Sequence, residues 1–94
     1  MTEIKDENLN EDIKNKVFSL LSKRTNKKVT DLRIEMDVYD DLEFHNFDLI
    51  EITEPIEKYY NIEFTLKNFL NLSTIKSIID MTERKVKHRK KIIK

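Results

Sequence analysis

The segment from Tyr39 to Tyr60, "YDDLEFHNFDLIEITEPIEKYY", concentrates side chains that could take part in chemistry. It contains seven carboxylates and one lysine, with His45, Asn46 and Phe47 near its centre. Carboxylates can bind a cation or a basic partner, and an exposed imidazole gains charge in mildly acidic conditions. The nitrogen of a carboxamide is delocalised and does not act as a nucleophile. This segment therefore indicates binding rather than covalent catalysis.

A metal site is the first kind of binding to consider. The carboxylates just upstream of His45 are Asp37, Asp40, Asp41 and Glu43. Their spacing differs from a calcium-binding EF-hand loop, which needs a turn glycine and a bidentate glutamate, and this chain has no glycine. His45 and His88 lie far apart and form no ligand pattern. We predict a solvated acidic patch, an exposed His45 and no metal site.

Nucleophilic catalysis has little support. The chain has no cysteine, which excludes disulfides, thiolate metal ligands and a cysteine nucleophile. No general base lies near the serines in sequence, so we assign no catalytic residue and predict that the protein is not an enzyme. The serines are Ser19, Ser22, Ser73 and Ser77.

The net charge of zero conceals a segregation of charge. Residues 31–63 carry eleven acidic and two basic side chains, whereas residues 83–94 carry seven basic side chains and one acidic one. Such patches attract partners of opposite sign. The basic tail, "ERKVKHRKKIIK", leaves contact with an anionic membrane open, but it has no aromatic residues for stacking on bases, so a nucleic-acid partner is not expected. A solvated helix end is the simpler interpretation.

Apolar periodicity predicts the helices that position these groups. The first, at about 11–24, has Asn8 or Asn10 available as N-cap. The second begins with Asn46 as N-cap, and Pro55 within it predicts a kink or an early break. Its buried stripe is Ile52, Ile56 and Tyr60, and its outer face is Asp48, Glu51, Glu54 and Glu57.

A short helical turn capped by Thr65 and a last helix capped by Ser73 or Thr74 complete the pattern. The apolar residues of the turn are Leu66, Phe69 and Leu70; those of the last helix are Ile75, Ile78, Ile79 and Met81. The loop after the first helix could be pinned onto the core by Val29, Leu32, Ile34, Val38 and Tyr39. No segment reads as a paired strand, so the predicted architecture is a small all-α bundle of three longer helices and one short one.

The composition suits one small domain. We predict an N-terminal extension at 1–10, the folded domain at 11–82, and a basic C-terminal tail at 83–94 that extends the last helix or frays. The N-terminal segment has no hydrophobic run typical of a secretory signal. We expect a monomer in the cytoplasm, with an organelle left open.

The acidic segment resembles the region around the modification site of acyl carrier proteins. In that family an aspartate and a leucine are followed by two small residues, Asp-Ser-Leu and an acidic helix. Here Asp41 and Leu42 match the opening pair, Asp48 matches the acidic residue after Asp-Ser-Leu, and Glu51 and Ile52 match the Glu-Leu of the recognition helix.

The resemblance continues downstream without a gap and covers residues 11–82. The segment "YYNIEFTLKNFLNLSTIKSIIDM" follows the family's ending at Tyr60, Ile62, Phe64, Leu72, Thr74, Ile75 and Ile79. It implies an acyl-carrier-like four-helix bundle with a long first loop.

This sequence differs from the family pattern at the site where the family carries its prosthetic group. Acyl carrier proteins attach 4′-phosphopantetheine to a serine hydroxyl at the start of the second helix, and this position is Asn46 here. Attack on coenzyme A needs a hydroxyl oxygen, which asparagine lacks. The neighbours differ as well, with His45 for an acidic residue, Phe47 for leucine, and Glu43 and Phe44 for the small residues. The resemblance therefore implies a degenerate site without the cofactor.

Two aromatic residues bear on the acyl pocket that the resemblance implies. Phe69 stands where the family usually has a small residue beside the pocket, and Phe64 is bulkier than the usual isoleucine. Two phenylalanines could fill the space in which a fatty chain would lie. Compensation for volume lost elsewhere in the core is an equally good interpretation.

The resemblance also implies a binding role. The expected interaction residues are Phe47, Asp48, Glu51, Glu54 and Glu57. They would dock onto a basic groove of a biosynthetic enzyme or a helical assembly factor. The alternative is a functional carrier in fatty-acid, polyketide or related biosynthesis that is loaded at another hydroxyl or holds its cargo without a covalent bond.

Overall fold

The computed structural model describes residues 6–92 and the side chains of residues 8–89. Within this range the chain forms four α-helices and one short 3-10 helix, and its β-structure is limited to an isolated bridge between Asp37 and Thr74. The predicted all-α bundle with three longer helices and one short one is confirmed. The α-helices are α1 (Asp6–Thr25), α2 (Asn46–Tyr60), α3 (Leu66–Leu70) and α4 (Ile75–Ile92); the 3-10 helix covers Val29–Asp31.

Helix α1 begins earlier than its apolar stripe predicts. It starts at Asp6, so Asn8 and Asn10 lie inside the helix and the prediction that one of them is the N-cap is wrong. The added turn extends the stripe, because Leu9 is buried one turn before Ile13. The Asn10 amide instead donates to Glu83 Oε1 at 3.0 Å and ties α1 to α4.

Helix α2 has His45, not Asn46, at its N-cap, so the prediction for Asn46 is wrong by one position. The cause is Asp48, whose carboxylate accepts a hydrogen bond from the His45 backbone N–H at 2.8 Å. This carboxylate satisfies a free donor of the first turn and lies at the positive end of the helix dipole. Asn46 is therefore the first residue with a helical backbone.

Pro55 does not end α2, so the predicted early break is wrong. The helix runs through Pro55 to Tyr60 and ends at Asn61, which adopts a left-handed backbone with φ of 57°. The missing N–H of proline leaves the Glu51 carbonyl without its helical donor. Burial of Ile56 and Tyr60 beyond the proline holds the last turn against the core.

The long loop before α2 is anchored by buried side chains and by backbone hydrogen bonds. Leu32 and Val38 are buried as predicted, and Ile34 and Tyr39 are partly buried. Val29 is 47% exposed, so its predicted anchoring role is wrong. The loop is also bonded to the start of α4, because the Val38 N–H donates to the Ser73 carbonyl at 2.7 Å and the Ile75 N–H to the Met36 carbonyl at 3.0 Å.

The predicted caps of the last two helices are confirmed. Thr65 Oγ1 accepts the Asn68 N–H at 3.2 Å at the start of α3, and Thr74 Oγ1 accepts the Ser77 N–H at 3.1 Å at the start of α4. The basic tail continues α4 as far as Ile92. The stripe of α4 is buried at Ile75, Ile78, Ile79, Thr82 and Val86, with Met81 packed beside it.

Candidate functional site

Asn46 lies at the surface, at the junction between the long loop and α2. Its side-chain oxygen faces the Tyr39 hydroxyl at 3.5 Å, which is a long and weak contact. The side chain is therefore open to solvent and to any protein that approaches this end of α2. What it offers there is a carboxamide, which can form hydrogen bonds but has no hydroxyl to esterify.

The backbone that leads into α2 is strained at Glu43. This residue has φ of 59° in the left-handed region, which costs a non-glycine residue about 1–2 kcal/mol. Its neighbours Leu42 and Phe44 are both buried, at 7% exposure each. The reversal at Glu43 lets both side chains enter the core while the chain turns toward Asn46. The site is therefore built on a conformation that glycine adopts at a lower cost than glutamate.

Arg24 is a residue of this site that the sequence did not predict. Its guanidinium is 2.5 Å from Asp48 Oδ1 and 2.6 Å from Glu51 Oε1. The pKa of the Asp48 carboxyl lies below its ordinary value, first because it accepts the His45 N–H and second because Arg24 pairs with it. Arg24 lies near the end of α1, far from the acidic segment in sequence, and no local pattern indicates this contact.

The predicted interaction residues divide into two groups. The first group makes contacts within the protein. Asp48 contacts the His45 N–H and Arg24, and Glu57 Oε2 accepts the Phe64 N–H at 2.7 Å, which fixes the chain after α2. Phe47, Glu51 and Glu54 are exposed on one side of α2, at spacings of four and three residues. The Phe47 ring is 63% exposed. The structure thus brings three of the five predicted residues onto one accessible surface.

Ile50 belongs to the same surface and was missed by sequence reasoning. It is 48% exposed, whereas Leu49 and Ile52 on either side are buried. The available signal was its spacing of three residues from Phe47 and its position outside the buried stripe. We call Phe47, Ile50, Glu51 and Glu54 the α2 docking face.

An apolar groove of about 360 Å³ lies beside Asn46, between α2, α3 and the long loop. Leu66 and Leu70 of α3 border it and are 78% and 79% exposed. Phe69 forms part of its wall, while Phe64 is buried in the core with its ring centre 5.9 Å from that of Phe69. The two phenylalanines therefore leave a groove open at the surface. Its lining is Tyr39, Asn46, Leu49, Ile50, Leu66, Phe69, Leu70, Leu72 and Ser73.

The acidic loop before α2 uses its carboxylates to shape the backbone. Asp37 Oδ1 accepts the N–H groups of Tyr39 at 2.8 Å and Asp40 at 2.9 Å, and Asp41 Oδ2 accepts the Asp37 N–H at 2.8 Å. In the part of the chain that the structure describes, no three or more acidic, histidine or cysteine side chains form a group that could hold a metal ion. The imidazole of His45 is 90% exposed, which confirms the prediction for that side chain.

None of the helices within residues 6–92 combines the length and the apolar character needed to cross a bilayer.

Comparison with known proteins identifies the family. The family model described as "Phosphopantetheine attachment site" matches residues 15–82. An "Acyl carrier protein" of Cyanophora paradoxa is 29% identical over 70 residues, which cover 74% of this chain and 68% of that relative. An "Acyl carrier protein homolog" of Mycoplasmopsis pulmonis (strain UAB CTIP) is 29% identical over 75 residues, 80% of this chain and 97% of that relative. The match to the family model spans well over half of this chain. The chain therefore belongs to the acyl carrier protein family, whose members are carriers rather than catalysts.

Proposed function

We propose that this protein is an acyl-carrier-like binding module that carries no pantetheine arm and acts by docking to protein partners through α2. The single observation that carries the proposal is Asn46, a carboxamide at the exposed first residue of α2. Pantetheine attachment requires an oxygen nucleophile, and what contacts the Asn46 carboxamide here is the Tyr39 hydroxyl, at 3.5 Å. The fold is retained around a residue that lacks the reactive atom.

The α2 docking face supports a protein partner rather than a small molecule. Phe47 and Ile50 expose apolar area, and exposed aromatic side chains are frequent anchors of protein interfaces. Glu51 and Glu54 lie beside them. The partner that this chemistry fits has an apolar pocket bordered by lysine or arginine side chains, because opposite charges speed and orient docking.

Arg24 refines the description of this partner. It already neutralises part of the charge of Glu51, whose side chain remains 40% exposed, and it lies with its guanidinium 6.0 Å from the centre of the Phe47 ring. Glu54 is exposed and one turn further from Arg24. We therefore expect Glu54 to contribute more than Glu51 to the salt dependence of docking.

Intact-mass spectrometry tests the absence of the arm. The protein is incubated with coenzyme A and a promiscuous phosphopantetheinyl transferase, with a serine-containing acyl carrier protein as positive control. We expect no adduct on the natural chain and an adduct on the His45→Asp/Asn46→Ser/Phe47→Leu variant. A stoichiometric adduct on the natural chain, at any residue, contradicts the proposal, and peptide mapping would then locate the hydroxyl used.

Affinity capture from the native source tests the docking role. Partners retained by the natural chain should be lost with Phe47→Ala and weakened by Glu54→Lys, and the interaction should weaken as salt increases. Glu63→Lys is the matched control, because Glu63 is an exposed acid three residues beyond α2 and outside the α2 docking face. Capture that is insensitive to salt and to Phe47→Ala would show that another surface is used.

A carrier that holds its cargo without a covalent bond is the second candidate, and the apolar groove beside Asn46 is the observation that favours it. Titration with a medium-chain fatty acid, followed by NMR, would shift the amide signals of Ile50, Leu66 and Leu70 if the groove binds an acyl chain. Leu70→Glu should abolish these shifts. Lys67→Glu, on the same short helix but outside the groove, should leave them unchanged.

A further inference from the structure

A second cavity lies at the opposite end of α2 from Asn46. It has a volume of about 370 Å³, is open to solvent, and is bordered by the residues that follow α2, by α3 and by the second half of α4. Since α2 has fifteen residues, this cavity is about 20 Å from Asn46 along the helix. Its lining comprises Asn61, Ile62, Glu63, Asn68, Met81, Arg84, Lys85, His88 and Arg89.

The charge of this cavity comes from two successive turns of α4. Arg84, Lys85 and His88 line one wall, and none of them forms an ion pair with an acidic side chain among residues 8–89. Lys87 is the contrasting neighbour, because its ammonium lies 3.3 Å from Glu83 and it does not line the cavity. Glu63 is the one acidic side chain in the lining. The cavity therefore presents a surplus of positive charge on one side.

The hydrogen bonding of the Arg89 guanidinium is a second observation that points to a ligand in this cavity. Its Nη1 donates to the backbone carbonyl of Tyr60, which fixes the guanidinium between α4 and the end of α2. Its Nε is buried and has no hydrogen-bond acceptor among the described residues. A buried donor without an acceptor is costly, and an acceptor on a bound group would remove that cost.

The remaining polar groups of the lining suit an oxyanion. The side-chain amides of Asn61 and Asn68 can donate hydrogen bonds, and the guanidinium of Arg84 can donate two in parallel to a phosphate. Arginine, lysine and amide donors around one cavity form the donor set that proteins use for phosphoryl groups. Ile62 and Met81 are the apolar side chains among the described residues of the lining.

The geometry points to a phosphoryl-binding site in this cavity, with Arg84 and Lys85 as the charged ligands and Asn61 as a hydrogen-bond donor. The site goes beyond the docking role proposed above and does not depend on it, because it uses none of the α2 docking face. The phosphoryl group could belong to a free phosphate or diphosphate compound or to the headgroup of an anionic phospholipid.

The full-length ¹⁵N-labelled chain is titrated with inorganic phosphate and with pyrophosphate at constant ionic strength, with sodium chloride as control. We expect saturable shifts of the backbone amides of 61–63 and 84–89. Arg84→Gln and Lys85→Gln should each weaken binding about tenfold, the size of one charge-assisted hydrogen bond. Lys87→Gln is the matched control, which removes the same charge from the same helix and should change the affinity less than about twofold.

A parallel arm uses vesicles of phosphatidylcholine with and without phosphatidylglycerol. Sedimentation only with phosphatidylglycerol, sensitive to Lys85→Gln and not to Lys87→Gln, identifies a lipid headgroup as the source. Saturable shifts with pyrophosphate and no sedimentation identify a soluble compound. The site is overturned if chloride reproduces the shifts, if neither probe binds, or if Lys87→Gln weakens binding as much as Lys85→Gln, because attraction would then be diffuse.

Discussion

The two ends of α2 are each held by an arginine from another helix, but in different ways. At the first turn, Arg24 of α1 pairs with the side chains of Asp48 and Glu51, and its own side chain is 33% exposed. At the last turn, Arg89 of α4 donates to the main-chain carbonyl of Tyr60, and part of its guanidinium is buried. Both arrangements place charges that suit the helix dipole, with a carboxylate at the start and a cation at the end.

The difference between these ends decides what each can bind. The first turn uses surface carboxylates for its internal contact and leaves apolar Phe47 and Ile50 exposed, which suits a protein partner. At the last turn, the contact to Arg89 is made by the backbone carbonyl of Tyr60. Arg84 and Lys85 line the cavity beside it. On these two proposals, one helix separates a protein-docking surface from an anion-binding one.

Substitution of the two arginines should distinguish the two ends of α2 and give the largest change in the free energy of unfolding. Arg89→Gln should lower the free energy of unfolding by about 2 kcal/mol, because a hydrogen bond from a charged donor to the end of α2 is lost. Arg24→Gln should have a smaller effect, since its ion pairs are exposed to solvent. Urea denaturation measures both, with Arg84→Gln as the control at a lining position that makes no such bond. Equal effects of Arg24→Gln and Arg89→Gln would contradict the distinction.

Replacement of Glu43 by glycine should stabilise the first end of α2. Glycine adopts a positive φ without the steric cost, so we expect the free energy of unfolding to rise by about 1 kcal/mol. Asn61→Gly, at the positive φ of the other end, should give a smaller gain because asparagine tolerates this conformation. Thermal unfolding compares the two variants. A loss of stability in Glu43→Gly would show that the side chain of Glu43 contributes more than its backbone strain costs.

Acid should loosen the first turn of α2 before the last. The pKa of Asp48 is depressed, so its contribution to stability is present above the ordinary value of 3.8 and is lost as the pH falls through that value and below it. The difference in Tm between the natural chain and Asp48→Asn should therefore shrink as the pH falls below about 5. A difference that stays constant down to about pH 2 would mean that the charge of Asp48 is not stabilising.

Base acts on the opposite end of the helix. Burial, together with the hydrogen bond from the Tyr60 hydroxyl to Asp12 Oδ2 at 2.6 Å, raises the pKa of Tyr60 above its ordinary value of 10. Because this pKa is raised, the stabilisation that the protonated Tyr60 hydroxyl gives the fold is complete below pH 10 and is lost as the pH rises above it. We expect Tyr60→Phe to be less stable than the natural chain at neutral pH and the gap to narrow above about pH 10. Tyr59→Phe, at an exposed neighbour, serves as control.

The sequence predicted the helices well because their apolar stripes are regular. Ile52, Ile56 and Tyr60 recur at helical spacing and are buried as that spacing requires. The ends of the helices were less predictable. Sequence alone favours Asn46 as the cap because asparagine is a preferred N-cap residue, but the local bond from the His45 N–H to Asp48, three residues on, places the boundary one residue earlier.

The candidate site was predictable only in part. Phe47, Glu51 and Glu54 could be placed on one face by their spacing, but the pairing with Arg24 joins residues 24 and 48, which come together only in the folded bundle. The exposure of Leu66 and Leu70 was not predictable either. A helix as short as α3 has too few residues for periodicity to identify its buried side, and here Phe69 faces the core instead.

Pro55 has a consequence for how the backbone amides of α2 exchange their hydrogens with solvent. Because position 55 has no amide proton, the hydrogen bond that would join position 55 to the Glu51 carbonyl is missing, between the second and third turns of the helix. We expect the amides on the two sides of this gap to exchange with deuterium at different rates, because one hydrogen bond fewer couples the two halves of the helix. The proposed docking partner would then contact the half of the helix that is less tightly coupled to the half anchored to α4.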